Sequence, residues 1–161
     1  MMSEIKKSLH DFYETKITDI MRTVSATLCI HEDASLDHVL APLKHHGYVW
    51  VVSKGVPQRV LGVITESDMI ALLSPPLTTL QTFDAPDTRS LQFGVPLTAE
   101  EIMSKKPVTA SPAETVREVI VKMKQFHVKQ LPVVDPKGVL VGDITLHQFI
   151  ENYYTEILKL R

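Results

Sequence analysis

GVITESD occupies Gly62–Asp68, and GDITLHQ occupies Gly142–Gln148. The two stretches share Gly, Ile and Thr at matched positions and differ in the last residue, Asp68 against Gln148. A heptapeptide that returns far along a chain marks an internal repeat, and a repeat governs the reading of every other element. Working outward, Ile20-Met21 matches Ile102-Met103, Ser35-Leu36 matches Thr115-Val116, and Val51-Val52 matches Val133-Val134. The offset stays between 80 and 82 residues. Its small shifts fall where loops belong, and loop length is thermodynamically cheap.

Each copy reads as strand–helix–strand–strand–helix. A short strand is expected at TLCI (27–30) and at PVTA (107–110). Leu36, Val39, Leu40 and Leu43 then recur at i, i+3, i+4 and i+7, as do Val116, Val119, Ile120 and Met123. That spacing puts four apolar groups on one helical face. Thr115 and Glu118 form a capping box at the start of the second of these helices. Two apolar strands follow, YVWVV and VLGVI in copy one, LPVV and VLVGDI in copy two. A helix opens after each Gly-x-Ile-Thr. The expected class is α/β, with two pseudo-symmetric repeats packed sheet to sheet, because a three-stranded sheet with two helices is marginal alone.

The expected organisation is an N-terminal helix over 1–16, repeat one over 17–73, a connector over 74–98, repeat two over 99–152, and a C-terminal helical extension over 153–161. The connector holds four prolines and little periodicity. It reads as a mobile or surface-draped segment, or as a ligand lid. Ile5, Leu9 and Phe12 form one terminal stripe, and Phe149, Ile150, Tyr153, Tyr154, Ile157 and Leu158 form the other. These stripes serve either packing against the body or a dimer contact.

Composition narrows the function classes. Of 161 residues, 44% are hydrophobic and 22% charged, ordinary values for a globular protein. A net charge of −2 gives no basic footprint for nucleic acid. No apolar run reaches the roughly 18 residues of a membrane span, and the first residues lack the apolar stretch of a secretory signal. The single cysteine, Cys29, forms no internal disulfide. A cytoplasmic protein is expected, with no nucleic-acid or membrane partner.

At the repeated turn, glycine permits close backbone approach, and Thr65 stands as an N-cap with Asp68 three residues on. A helix N-terminus suits phosphate. A carboxylate there can accept from both hydroxyls of a ribose. Thr-x-x-Asp and Thr-x-x-Gln also form capping boxes that need no ligand. The residues alone leave both readings open.

The two units resemble cystathionine-β-synthase (CBS) domains in the tandem arrangement called a Bateman module, here as a standalone pair. The resemblance covers about 17–73 and 98–152. It rests on Ile-Met near the start of each copy, on SPAETVREVIVKMKQFHVKQLPVVDPKGVLVGDIT, and on GVITESD. It implies two clefts between the repeats and no catalytic residues. It also implies a regulatory adenosine ligand (AMP, ADP, ATP or S-adenosylmethionine), a homodimer, and an unidentified regulated protein. In the family pattern Gly-x-x-Thr/Ser-x-x-Asp, Asp holds the ribose hydroxyls and Thr holds ribose or phosphate. Gly62, Thr65 and Asp68 carry that pattern in full.

The resemblance pairs Thr65 and Asp68 with Pro107, Val108 and Thr109, closed by Val128, Lys129, Gln130, Leu131 and Pro132. Val108 and Pro132 would sandwich the base, backbone groups at 107–109 would read its edge, and Lys129 would meet phosphate, with His147 a second cation. The other cleft, at Thr27, Leu28, Tyr48, Thr145 and Gln148, departs from the pattern. Gln148 replaces the acid, Asp143 stands where an apolar residue is expected and would repel phosphate if it faced the cleft, and Tyr48 and Trp50 add bulk. An empty, weaker or differently selective second cleft is expected.

Other constellations carry less. His31, His38, His45 and His46 cluster, with His38 and His45 two helical turns apart, but metal motifs such as His-Glu-x-x-His and Cys-x-x-Cys are absent, so no metal is expected. Cys29 lies in an apolar strand, where a thiol is inert. Phosphate-loop and dinucleotide glycine motifs are absent. The alternatives to a ligand sensor are a nucleotide-independent dimeric scaffold, in which Thr65 and Asp68 only cap a helix, and a small enzyme, for which no coherent acid, base and nucleophile set exists.

Overall fold

The computed structural model describes residues 1–75, 90, 91, 94 and 97–161. The connector expected over 74–98 lies mostly outside the described residues. At its margins the Ser90 hydroxyl donates to the Ser74 carbonyl at 2.8 Å. The described residues form a mixed α/β structure with two sheets and six α-helices, and they divide into two compact units. One unit is contiguous, Leu28–Pro107; the other joins Met1–Thr27 to Val108–Arg161.

The contiguous unit holds a four-stranded sheet of order β2-β3-β4-β5, with β2 at Cys29–His31, β3 at Tyr48–Val52, β4 at Val60–Thr65 and β5 at Ser104–Lys105. Its helices are α2 (Leu36–Leu43), α3 (Glu66–Leu73) and α4 (Ala99–Ile102). β2 and β3 run parallel through the α2 crossover, whereas β3–β4 and β4–β5 are antiparallel. Val49 and Val51 alternate inward on β3 with Ile64 of β4, and Val39, Leu72, Ala99 and Ile102 cover them. α2 ends at Leu43, so His45 lies beyond the helix and does not share a face with His38.

The discontinuous unit holds a three-stranded sheet of order β1-β7-β6: β1 at Arg22–Thr23, β6 at Gln130–Val134 and β7 at Leu140–Thr145. Its helices are α1 (Met2–Tyr13), α5 (Val116–Phe126) and α6 (Leu146–Leu158). The stripe of α1 docks inward: Phe12 meets Phe149 edge-on at 6.1 Å and Tyr153 at 5.1 Å, above Ile17, Val116, Val119, Leu131 and Ile144. The C-terminal extension continues α6 without a break. The strand expected at 107–110 reduces to one parallel bridge, Ala110 to Val133. Lys106 and Pro107 lie outside any strand, and Lys106 takes a left-handed φ of 53°.

Sequence period and compact unit are out of step. The Ile-Met segment that opens repeat one pairs with β7 of repeat two, and the one that opens repeat two pairs with β4 of repeat one. This exchange explains the repeated glycine. A Cβ on Gly62 would meet the Met103 side chain and lie 2.7 Å from the Ser104 carbonyl oxygen; on Gly142 it would meet the Arg22 carbonyl oxygen. Both would meet a backbone carbonyl oxygen, and the Arg22 oxygen lies nearer its glycine than the Ser104 oxygen does, so Gly142→Ala is expected to destabilise the fold more than Gly62→Ala. Overpacking of this kind costs about 1–3 kcal/mol. Urea denaturation of both variants checks the order, and equal midpoints would contradict the backbone account.

Candidate ligand site at Thr65 and Asp68

Thr65 ends β4 and is the N-cap of α3. Its backbone N–H donates to Asp68 Oδ2 at 2.8 Å, and the pair forms a capping box. The Thr65 hydroxyl donates to the same oxygen at 3.3 Å. On the other side, the exposed Ser104 hydroxyl of β5 donates to Asp68 Oδ1 at 3.2 Å. Asp68 is 6% exposed. The carboxylate is therefore oriented by α3 through one oxygen and touched at the other by the hydroxyl of an exposed residue. Sequence reasoning missed Ser104; the signal was its place directly after the Ile102-Met103 pair.

The matched turn in the discontinuous unit uses the same cap with an amide. The Thr145 N–H donates to Gln148 Oε1 at 2.8 Å, and Gln148 Nε2 donates to the Ile20 carbonyl at 3.2 Å. Both ends of this amide serve the fold. Asp143, expected to repel phosphate, does something else: it is fully buried, and Arg22 grips it through Nε to Oδ1 and Nη2 to Oδ2, each at 2.9 Å. The guanidinium neutralises it. Arg22 stands at the position matching Ser104, and Asp143 at the position matching Val63. The two turns thus differ by a linked set of residues, not by one acid.

The remaining expected site residues fall as follows. Pro107 shares the contiguous unit with Thr65 and Asp68; Val108, Thr109, Val128, Lys129, Gln130 and Pro132 belong to the other. Segment 108–110 runs beside β6, where the Pro132 carbonyl accepts the Ala110 N–H at 2.9 Å. The Thr109 carbonyl, expected to face a base, accepts from Lys122 Nζ at 2.9 Å, and the same amine meets Glu114 at 2.7 Å. Lys129 is exposed, and its carbonyl accepts the Leu146 N–H at 2.8 Å. His147 is exposed and reaches Glu151 at 3.0 Å. Of the second set, Thr27 donates its hydroxyl to the Thr23 carbonyl at 2.8 Å, Leu28 accepts from the Trp50 N–H at 3.1 Å, and Tyr48 stacks edge-on with Trp50 at 5.2 Å.

Among the described residues, no three His, Cys, Asp or Glu side chains converge as a metal site. Burial pushes the Cys29 thiol up from its usual pKa, which disfavours the nucleophilic thiolate. No helix among the described residues is long and apolar enough to cross a membrane.

The family model of the CBS domain matches residues 17–75 and 99–154. The chain belongs to the CBS-domain family. Its two CBS matches are the two sequence repeats, with the lead-in segments exchanged between compact units. Over 153 residues it is 24% identical to the uncharacterized protein MJ1426 of Methanocaldococcus jannaschii, covering 84% of this chain and 89% of that one. Three solved structures are similar in fold. CBSX2 in complex with AMP matches at TM-score 0.69 and 18% identity, over 87% of this chain and 96% of that chain. The CBS domain pair of protein MJ0100, in complex with 5′-methylthioadenosine and S-adenosyl-L-methionine, matches at TM-score 0.66 and 22% identity, over 88% and 98%. An uncharacterized conserved protein from Pyrococcus horikoshii matches at TM-score 0.67 and 21% identity; this CBS pair covers 92% of its own length there and spans 59% of that chain.

Proposed function

We propose that this CBS pair is a non-enzymatic regulatory module that binds an adenosine compound, with Thr65 and Asp68 as its ribose receptor. The observation that carries the reading is the Asp68 carboxylate, oriented by the α3 cap through Oδ2 and reached at Oδ1 by the hydroxyl of the exposed Ser104. Complexes of CBS pairs of similar fold with AMP and with S-adenosyl-L-methionine support it. Val108, Thr109, Val128, Lys129, Gln130 and Pro132 complete the proposed receptor, with Lys129 the cation for phosphate. Thr27, Leu28, Tyr48, Thr145 and Gln148 form the weaker second receptor, because the amide of Gln148 is held by the fold at both ends. A sensor works only through different affinity for two states of the protein, so the ligand must favour one of them.

Calorimetric titration with AMP, ADP, ATP, S-adenosylmethionine and a guanosine control tests the proposal. A saturating adenosine ligand supports it. One observation favours the second reading, a nucleotide-independent scaffold: Thr65–Asp68 and Thr145–Gln148 cap their helices in the same way. Silence toward every adenosine compound, with self-association intact, would select the scaffold.

The homodimer and a cytoplasmic setting belong to the same proposal. Leu146, Ile150, Tyr154 and Leu158 recur every fourth residue along α6, and Ile150 and Tyr154 are 59% and 61% exposed. The neighbouring face of α6, at Phe149 and Tyr153, is already spent on Phe12. A second copy is the proposed occupant of this stripe. Sedimentation velocity is expected to read a dimer for the wild-type chain and a monomer for Tyr154→Glu; a wild-type monomer at high concentration would remove the dimer.

A further inference from the structure

We propose that Ser104 sets ribose selectivity at Asp68, its hydroxyl standing in for a sugar hydroxyl until one arrives. The inference rests on the adenosine reading of Thr65 and Asp68. A serine hydroxyl donating to a carboxylate oxygen makes the same bond that a ribose hydroxyl would make there. The Ser104 bond to Oδ1 is 3.2 Å long, against about 2.7–2.8 Å for a well-made O–H···O bond. It is thus a loose contact on an exposed residue. The orientation of the carboxylate does not depend on it, because Oδ2 is fixed by the Thr65 N–H at 2.8 Å. A ligand hydroxyl that displaces Ser104 gains a bond to Oδ1 while the cap stays in place.

The matched position in the other repeat sharpens the contrast. Arg22 grips Asp143, and Gln148 donates to the Ile20 carbonyl. Among the described residues, a carboxylate paired with an exchangeable hydroxyl occurs at this turn only in the contiguous unit. Ser104 and Arg22, each directly after an Ile-Met pair, therefore sort the two turns into a stronger and a weaker receptor for a diol.

A stand-in competes with the ligand it imitates. Removing it should tighten a ligand that must displace it and leave unchanged a ligand that lacks the displacing hydroxyl. Full-length wild type, Ser104→Ala and Ser104→Thr are titrated calorimetrically with AMP, S-adenosylmethionine, 2′-deoxy-AMP and 3′-deoxy-AMP. Ser104→Ala is expected to bind the ribose ligands roughly threefold to tenfold more tightly. At least one deoxy nucleotide should change less than about twofold, and Ser104→Thr, which keeps the hydroxyl, should follow wild type. Because Ser104 is exposed, the alanine variant is expected to fold. Wild-type binding with equal or weaker affinity in Ser104→Ala would overturn the role of Ser104 and leave the adenosine reading standing. No binding by any of the proteins would overturn both.

Discussion

Replacing Arg22 by methionine is expected to destabilise the protein by about 3 kcal/mol, measured by urea denaturation of the full-length chain. Asp143 has no exposed surface, and both its oxygens are gripped by the guanidinium at 2.9 Å. Removing one partner of a buried pair leaves an uncompensated charge, which costs about 3–5 kcal/mol. Arg22 keeps 38% of its own side chain in water, which places the loss at the lower end. The double variant Arg22→Ser/Asp143→Val offers a sharper check. It writes into β1 and β7 the pair that β5 and β4 already carry, Ser104 beside Val63. Replacing a buried ion pair by an apolar residue of similar size is often neutral, so the double variant should recover most of the loss. If the single variant costs less than about 1 kcal/mol, the pair does not hold β1 in place.

Asp68→Ala is expected to weaken an adenosine ligand by about 2–4 kcal/mol, roughly 30- to 1,000-fold, through the loss of two charge-assisted bonds to ribose. The structure adds a cost to folding. The Thr65 N–H and the Ser104 hydroxyl also lose their acceptor, which costs about 1–2 kcal/mol. Asp68→Asn separates the two effects. Its amide oxygen still accepts from Thr65, as Gln148 does from Thr145, and its amino group can donate to Ser104. The fold should be nearly unchanged while affinity falls about tenfold to thirtyfold with the lost charge. Calorimetry reads the affinity, and a urea midpoint reads the fold. Unchanged affinity in both variants would remove Asp68 from the site.

The apolar spacing on α2 and α5, the two turns and the terminal stripe of α1 were legible because each depends on neighbours within eight residues. The pairing of β1 with β7 and of β5 with β4 was not. Two-residue strands carry no period, and register between distant segments is set by what meets Gly62 and Gly142, which only the folded chain reveals. The same limit hid Ser104 and Arg22. Asp143 read as a lone misplaced acid, since its partner stands 121 residues away. The cap made by Thr65 and Asp68 was legible, but a capping box and a ribose receptor use the same two residues, so the pattern alone does not separate them.

The exchange of lead-in segments also orders the birth of the protein. Residues 28–107 form one continuous stretch with its own sheet and core, so this half can close as soon as it leaves the ribosome. Residues 1–27, although made before that half, must wait for β6, β7 and α6, made after it, before α1 and β1 find their places. Closing so long a loop is slow. Until β7 and α6 emerge, the nascent chain exposes the Phe12 stripe, a surface for a chaperone to shield.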